Sequence, residues 1–293
     1  MMKKTILVAL AATMLFGGAA FAKDKEAKST MFNGSTNIQL FYDLGVDRNC
    51  VTTTVEGFYN DPWGNTFFFI DHDFPVKGDA AKSPTGTYWE IARCFNFWQQ
   101  SKLGALSLQV EYNGGVYRNF NINHAFLAGV DYFLHSKDFR NTFNFKLLYK
   151  HILYSEGFYG KYQKDPILGI LDVPVNEKNH QSLVPLQFTF VWGMRDLFGA
   201  KGLTFSGFLD IWGEDTWVRP IHHFDDNTWG VDYTEDAELA HCVLISEPQL
   251  WYSVGQHFGC PNLNVGGELE LSWNFGGVKN FMARPCLGVK WVF

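Results

Sequence analysis

Residues 262–275 read NLNVGGELELSWNF, and the alternation of side chains in this stretch decides the fold. The odd positions are apolar and comprise Leu263, Val265, Leu269, Leu271, Trp273 and Phe275. The even positions are mainly polar and comprise Asn264, Glu268, Glu270, Ser272 and Asn274. Because successive side chains of a β-strand point to opposite faces, this period of two predicts a strand with one apolar and one polar face.

The same alternation recurs in eleven other segments that are bounded by turn-forming residues. They are residues 37–46, 51–59, 65–74, 87–98, 105–117, 124–135, 140–152, 185–195, 203–212, 242–254 and 281–293. A tilted strand needs roughly nine to eleven residues to cross a membrane, which is close to the length of these segments. We therefore predict an all-β fold, a 12-stranded antiparallel transmembrane β-barrel of the outer-membrane type, formed by residues 37–293 as a single domain.

The lengths of the connections favour the same fold. The connections that follow the second, fourth, sixth, eighth and tenth segments are short. The long ones, at 75–86, 153–184 and 213–241, all fall on the opposite side. Short turns on one side and longer loops on the other are typical of outer-membrane barrels.

The N-terminus has the features of a secretory signal peptide at residues 1–22. Lys3 and Lys4 precede a short apolar run, and Ala20-Phe21-Ala22 is a small-x-small cleavage site. We expect the mature chain to begin at Lys23, with residues 23–36 as an N-terminal segment before the barrel. No later run of eighteen apolar residues predicts a transmembrane helix, so we expect the bacterial outer membrane as the location.

The composition agrees with a barrel in lipid. Phe, Trp and Tyr make up 17% of the chain and charged residues 18%, and the mean hydropathy is −0.11. A soluble domain needs a very large core for so many aromatics, whereas a membrane barrel turns them outward. The net charge of −6 argues against a nucleic-acid partner, and the five cysteines at irregular spacings indicate no disulfide framework.

The polar parity of each strand should face the lumen, because the apolar parity faces lipid. Asp71 and Asp73 share their parity with Phe67 and Phe69, so the aspartates bring these two rings inward. Aromatic rings beside carboxylates suit a solute with a flat ring and hydroxyl groups; alternatively, the rings only fill a narrow barrel. The expected lumen residues are Phe67, Phe69, Asp71, Asp73, Glu90, Arg93, Glu111, Lys146, Asp210, Glu247, Trp251, Glu268, Glu270 and Arg284.

Two sets of charges need partners in this arrangement. Glu90 and Arg93 are three residues apart, which places them on opposite faces of a regular strand, and a lipid-facing Arg at mid-membrane costs roughly 2–4 kcal/mol. A β-bulge or a position near the membrane interface avoids that cost, and we expect an inward Glu90–Arg93 pair. Glu268 and Glu270 repel each other, so we expect basic partners for them on the twelfth strand, at Arg284 or Lys290.

Several motifs in the first part of the chain resemble an uncharacterised family of outer-membrane proteins that is related to the nucleoside-specific channel Tsx. They are YDLG (42–45), VTTTVEGF (51–58), WGNTFFFIDHDF (63–74), YWEIAR (88–93) and LQVEYNGG (108–115). The resemblance implies a monomeric twelve-stranded barrel that takes up nucleosides passively through a narrow lumen. The residues that match its pattern are Phe67, Phe69, Asp71, Glu90, Arg93 and Glu111.

The leading hypothesis is therefore a channel for passive uptake of small polar solutes, nucleosides among them, with no enzymatic activity and no cofactor. One alternative is an outer-membrane lipid-modifying enzyme, for which Ser155, Ser182, His151 and His180 are the available residues. A second is a metal site at His222, His223, Asp225 and Asp226. A third is a non-conducting binding or structural barrel.

The expected partners follow from the barrel. They are the lipid bilayer, a small-molecule solute and the outer-membrane assembly machinery, and we expect a monomer. The chain ends on Phe293, on the apolar face of the last segment, and a terminal aromatic strand of this kind resembles the signal that the assembly machinery reads.

Overall fold

The twelve alternating segments form a closed antiparallel barrel in the computed structural model of the chain. The structure describes residues 33–48, 50–76, 84–117, 121–154, 160–164, 171–223, 229–232 and 237–293. The expected signal peptide, residues 1–22, and residues 23–32 of the expected N-terminal segment lie outside the described residues. The first strand begins at Asn33, four residues before the alternation that predicted it.

Seventeen strands occur in the described residues. The first seven are β1 (Asn33–Asp43), β2 (Cys50–Asp61), β3 (Gly64–Pro75), β4 (Gly86–Phe95), β5 (Leu106–Tyr117), β6 (Asn121–His135) and β7 (Asn141–Leu153). A hairpin of β8 (Gly160–Lys164) and β9 (Leu171–Lys178) precedes β10 (Leu186–Arg195) and β11 (Leu203–Val218). A second hairpin, β12 (Ile221–His223) and β13 (Trp229–Val231), precedes β14 (Glu238–Ser246), β15 (Gln249–Tyr252), β16 (Leu263–Trp273) and β17 (Phe281–Val292).

Antiparallel pairing runs around the barrel and closes it. Each strand from β1 to β7 pairs with the next, β7 pairs with β10, and β10 pairs with β11. The circuit continues through β14 and β15 to β16 and β17. Finally, β17 pairs with β1, where Asn37 lies opposite Val292. The prediction of a 12-stranded antiparallel barrel is confirmed, with β14 and β15 as the two halves of one strand.

The tenth barrel strand is split at Glu247 and Pro248. Proline has no backbone N–H to donate to the ladder, so a continuous strand is disfavoured there. The opposite strand accommodates the break with Gly207, whose φ is 155°. A Cβ at Gly207 would lie 2.4 Å from the carbonyl oxygen of Glu247. The sequence predicted one continuous segment, 242–254, and this interruption is the difference.

The side chains that point outward from the barrel are mainly apolar. Exposed large apolar side chains on this face include Ile38, Leu40, Ile70, Ile91, Leu108, Phe126, Phe145, Leu147, Phe188, Leu250, Val265, Leu287 and Val289. The inward parity carries polar residues that are almost completely buried, among them Gln39, Gln109, Gln187 and Ser272. An apolar outside and a polar inside are the reverse of a soluble sandwich, and they make this barrel one of the outer-membrane type.

The two ends of the barrel differ in their connections. The end with the longest connections, 154–185 and 219–237, is called the loop end, and the other is called the turn end. The loop-end connections contain the hairpins β8–β9 and β12–β13, where the sequence predicted only loops. Valine, isoleucine or tryptophan, which favour strands, occur in β9, β12 and β13, and neither hairpin joins the barrel sheet.

Three short 3-10 helices complete the described structure, at Leu197–Gly199, Val254–His257 and Phe275–Gly277. Among the residues described here, no helix is long and apolar enough to span a membrane.

Candidate functional site

The inner wall of the barrel contains thirteen of the fourteen side chains that the sequence predicts for the lumen. The ladders show this directly, because Phe69 lies opposite both Glu56 and Glu90, and Asp71 lies opposite Thr54. The inward residues are Phe67, Phe69, Asp71, Asp73, Glu90, Glu111, Lys146, Asp210, Glu247, Trp251, Glu268, Glu270 and Arg284. That they bind solute stays a prediction.

Arg93 is the exception, and the expected inward Glu90–Arg93 pair is wrong. The β3–β4 ladder is regular through both residues, so no bulge turns Arg93 inward. Arg93 instead faces outward near the turn end and binds Asp61, with Nη1–Oδ2 and Nη2–Oδ1 distances of 2.6 and 2.8 Å. It also donates to the hydroxyl of Thr66. This position near the end of the strand avoids the cost of a mid-membrane arginine.

Aromatic rings and carboxylates from β3 and β4 form one surface inside the barrel, which we name the aromatic–acid cluster. It consists of Phe67, Phe69, Asp71, Tyr88 and Glu90. The ring centroids of Phe67 and Phe69 are 6.0 Å apart, and those of Phe69 and Tyr88 are 5.8 Å apart. The Tyr88 hydroxyl donates to Glu90 Oε1 at 2.5 Å. Tyr88 is not among the lumen residues predicted from the sequence, although it is two residues from Glu90 and therefore on the same face of β4.

Most of the inward carboxylates accept hydrogen bonds from uncharged side chains. Thr54 donates to Asp71 at 2.5 Å, Gln109 donates to Glu111 at 2.7 Å, and Gln249 donates to Glu268 at 2.6 Å. The same pattern recurs where Thr52 and Tyr117 bind Asp73, Asn144 binds Asp131, Thr189 binds Asp210 and Asn37 binds Glu56. A neutral donor fixes the orientation of a carboxylate but leaves its charge uncompensated.

Acidic side chains outnumber basic ones on the inward parity of the described strands. The acids are Asp43, Glu56, Asp71, Asp73, Glu90, Glu111, Asp131, Asp210, Glu214, Glu247, Glu268 and Glu270. The bases are Lys146, Lys150, Arg195, Arg284 and Lys290. The inner wall is therefore electronegative as a whole.

Glu270 belongs to a separate network of ion pairs toward the loop end. Arg284 lies opposite Glu270, with 2.5 Å between Nη1 and Oε1, so this expected partner is confirmed. Arg284 also binds Asp47 at 2.8 Å, and Arg48 reaches Glu270 Oε2 at 2.7 Å. Asp47 and Arg48 come from the connection between β1 and β2, where no periodicity in the sequence marks them.

Glu268 has a different environment from its neighbour. It lies opposite Cys286 rather than opposite a cation, and its side-chain hydrogen bond comes from Gln249. Lys290, the other expected partner, lies opposite Asn264, four residues before Glu268 in β16. Its Nζ is 4.2 Å from the ring centroid of Trp251. The two glutamates of the 262–275 stretch thus differ: one is ion-paired, and the other is bound by a neutral amide.

The inner wall is partly apolar where β6 and β7 contribute to it. Ala125, Leu127, Leu148 and Ile152 of β6 and β7 pack inside the barrel against Trp212 and Val243. Lys150 lies over Trp212, with Nζ 3.7 Å from the ring centroid, and donates to Gln187 at 2.8 Å. Inward apolar side chains narrow the lumen, as in other small barrels.

In the described part of the chain, no serine and histidine of the enzyme alternative are hydrogen-bonded to each other. The Ser182 hydroxyl accepts from the backbone N–H of Val184, and His180 contacts Asp215 with a 3.2 Å Nδ1–Oδ2 distance. The structure therefore gives Ser182 no histidine base there. His151 lies in β7, and Ser155 lies outside the described residues.

The metal alternative falls at the hairpin β12–β13. His222 and His223 are in β12, whereas Asp225 and Asp226 lie outside the described residues. Within the described ranges, no group of three or more His, Cys, Asp or Glu side chains has the geometry to hold a metal ion. All five cysteines are free thiols, and Cys94 is buried against Gln109 and Asp131.

A family model described as "Domain of unknown function (DUF5020)" matches residues 35–293. No curated protein matches the chain. Similar solved structures include the NanC porin, with 8% identity, 87% of this chain and 98% of that chain covered, and a TM-score of 0.46. The KdgM porin has 8% identity, coverages of 88% and 99%, and a TM-score of 0.41. OccK10 of Pseudomonas aeruginosa has 9% identity, coverages of 89% and 99%, and a TM-score of 0.31. Likenesses this distant carry no conclusion about the solute of this chain.

Proposed function

This chain belongs to the family described as Domain of unknown function (DUF5020), and on that premise we propose that it is an outer-membrane channel for the passive passage of small polar solutes. The observation that carries the proposal is the aromatic–acid cluster on the inner wall of a barrel whose outer face is apolar. Ionised side chains are stable on an inner wall when water reaches them. Phe67, Asp71 and Glu90 are only partly buried, which fits a water-containing lumen.

The geometry of the cluster favours solutes that carry a flat ring and hydrogen-bonding groups. The rings of Phe67, Phe69 and Tyr88 supply flat apolar surface, and offset stacking is their preferred mode of contact. The carboxylates of Asp71 and Glu90 accept hydrogen bonds from hydroxyl or amino groups. Nucleosides combine both features, and the resemblance to the family of Tsx supports them as the first solutes to test.

The remaining expectations belong to the same proposal. They are a monomeric state and insertion by the barrel assembly machinery through β17. Phe293 follows β17 directly, is exposed, and donates its backbone N–H to Thr36 at 2.9 Å, which holds the end of the chain against β1.

Liposome swelling tests the function. Liposomes that contain the purified protein should swell in isotonic adenosine faster than protein-free liposomes. Parallel measurements with glucose and glycine distinguish a selective channel from a general pore. In planar bilayers, the same protein should give small conductance steps that adenosine reduces.

A second candidate is a non-conducting barrel, and the packing of the interior favours it. Gln39, Gln109, Gln187 and Trp251 on the inner face are at most 1% exposed, and Arg48 and Asp47 fold onto the wall from the loop end. Such a barrel would neither swell liposomes in any of the three solutes nor conduct ions. In contrast, swelling in any of the three solutes or conduction of ions would exclude the non-conducting barrel.

A further inference from the structure

The carboxylates of the lumen come from strands on several sides of the barrel. Glu247 lies at the split in the tenth barrel strand, and its side chain shares the inward face of the barrel with those of Glu268, Asp71 and Glu90. These three residues come from β16, β3 and β4. Carboxylates brought together in this way concentrate negative potential inside the barrel, because low-dielectric walls focus the field.

The cations near these carboxylates have other partners. Lys150, whose charge acts on Glu90, lies over Trp212 and donates to Gln187. Arg284 is already bound to Glu270 and Asp47 in the buried network. Lys290 lies over the Trp251 ring. Asp71 and Glu90 are held by hydroxyl groups, which orient their oxygens without neutralising them. The negative charge of the cluster is thus left for a solute or for counter-ions.

A second observation points to a ligand that donates hydrogen bonds. Asn113 is 5% exposed and lies opposite Glu90 in the β4–β5 ladder, with its side chain on the inward parity. Its Oδ1 is buried and has no hydrogen-bond donor among the described residues. The Oε1 of Gln39, which is 0% exposed and also inward, is in the same condition. Both unsatisfied atoms are acceptors, and an ammonium group supplies three donors and no acceptor.

The aromatic rings also favour a cation inside the barrel. Phe69 and Tyr88 stand beside Asp71 and Glu90, and ring faces attract cations within about 6 Å of their centroids. We propose that the lumen selects by charge, so that it admits and binds organic cations with an ammonium group in preference to anions of the same shape. This rests on the proposed function and adds selection by charge to the same channel.

Two measurements on the wild-type protein test the inference separately from the function. In a KCl gradient across a planar bilayer, the reversal potential should give a K+ to Cl− permeability ratio of about tenfold or more. Calorimetric titration of the detergent-solubilised barrel compares tyramine, tyrosol and 4-hydroxyphenylacetate. These three share one ring and differ in charge, and we expect tyramine to bind about tenfold more tightly than the acid. The preference should shrink at high salt.

A matched pair of variants assigns the effect to the lumen. Glu90→Gln should lower the permeability ratio, and Asp71→Asn serves if that variant does not fold. Glu238→Gln removes the same charge from an exposed residue that pairs with Lys279, and it should leave the ratio unchanged.

The outcomes are distinct. An unselective or anion-selective current overturns the inference while the channel stands. Absence of current with a preference for tyramine overturns the channel and supports the selection by charge in binding alone. Absence of current together with equal or no binding of the three probes overturns both.

Discussion

Arg284 and Glu270 lie directly opposite each other on β17 and β16, with 2.5 Å between Nη1 and Oε1. Their side chains are only 3% and 8% exposed, and Arg284 also binds Asp47 from the connection between β1 and β2. One guanidinium therefore joins three segments that are far apart in the sequence. We expect this network to stabilise the wall of the barrel.

Replacing Arg284 by Met should lower the free energy of unfolding by about 3–5 kcal/mol, because the change leaves the buried carboxylates of Glu270 and Asp47 without their partner. Urea unfolding in lipid vesicles, followed by tryptophan fluorescence, measures the loss. Arg140→Met is the control, since its ion pair with Asp138 is exposed and should contribute little. Similar losses in both variants would contradict a structural role for the buried pair.

The same network should make the stability of the barrel depend on acid pH. Burial acts to raise the pKa of Asp47, but the hydrogen bond and charge of Arg284, together with the charge of Arg48, lower it below its ordinary value. A carboxylate with a lowered pKa in the folded state adds stability above its unfolded pKa, about 4, and this is lost as the pH falls through the folded value. Between pH 7 and pH 3, wild type should lose more unfolding free energy than Asp47→Asn. Equal losses would show that Asp47 has no such role.

The aromatic–acid cluster predicts a difference between two neighbouring phenylalanines of β3. Phe69→Ala should weaken the block of conductance by adenosine roughly threefold to tenfold, because an aromatic contact contributes about 0.5–1.5 kcal/mol beyond its area. Phe68→Ala is the matched control. Phe68 stacks on Tyr59 on the outward face, with centroids 6.5 Å apart, so the block should persist. A weaker block in Phe68→Ala alone would reverse the assignment of the two faces.

The outward face predicts a dependence on lipid. Leu147→Arg, in the middle of β7, should cost about 2–4 kcal/mol of stability in bilayers because the charge enters hydrocarbon. Leu103→Arg places the same charge in the connection between β4 and β5, where the side chain is also exposed but meets water. Urea unfolding in vesicles compares the two variants. If Leu103→Arg is as costly as Leu147→Arg, the apolar band does not face lipid.

The strands and their faces could be predicted from the sequence because the period of two is a local property. Glu268, Leu269 and Glu270 alternate strictly, and the structure keeps that alternation in the β16–β17 ladder. The inward positions of Asp71 and Glu90 follow in the same way. In these strands, one polar residue fixes the faces of its neighbours.

Arg93 shows where this reasoning fails. The alternation in the sequence places Arg93 outward, and the expected bulge rests only on the cost of an arginine in lipid. The structure resolves that cost through Asp61, which ends β2 beside the β2–β3 turn. The contact depends on how far the strand extends beyond the apolar band, which alternation does not specify.

The contacts made by residues in the connections between strands could not be predicted from the sequence either. Asp47 and Arg48 follow β1 without any periodic pattern, and their positions depend on partners more than two hundred residues later in the chain. The split at Pro248 is different, because a proline inside a strand is itself a signal of an interruption, and it was available in the sequence.

The pairing of β1 with β17 has a consequence for biogenesis. The first and last strands of the barrel are neighbours, so the hydrogen-bonded circuit cannot be completed before the final segment has emerged. Until then β1 and β16 are unpaired edges, which are templates for association with other chains. A polypeptide interrupted before residue 281 would keep both edges open, and its escape from aggregation would depend on a chaperone that shields them during export.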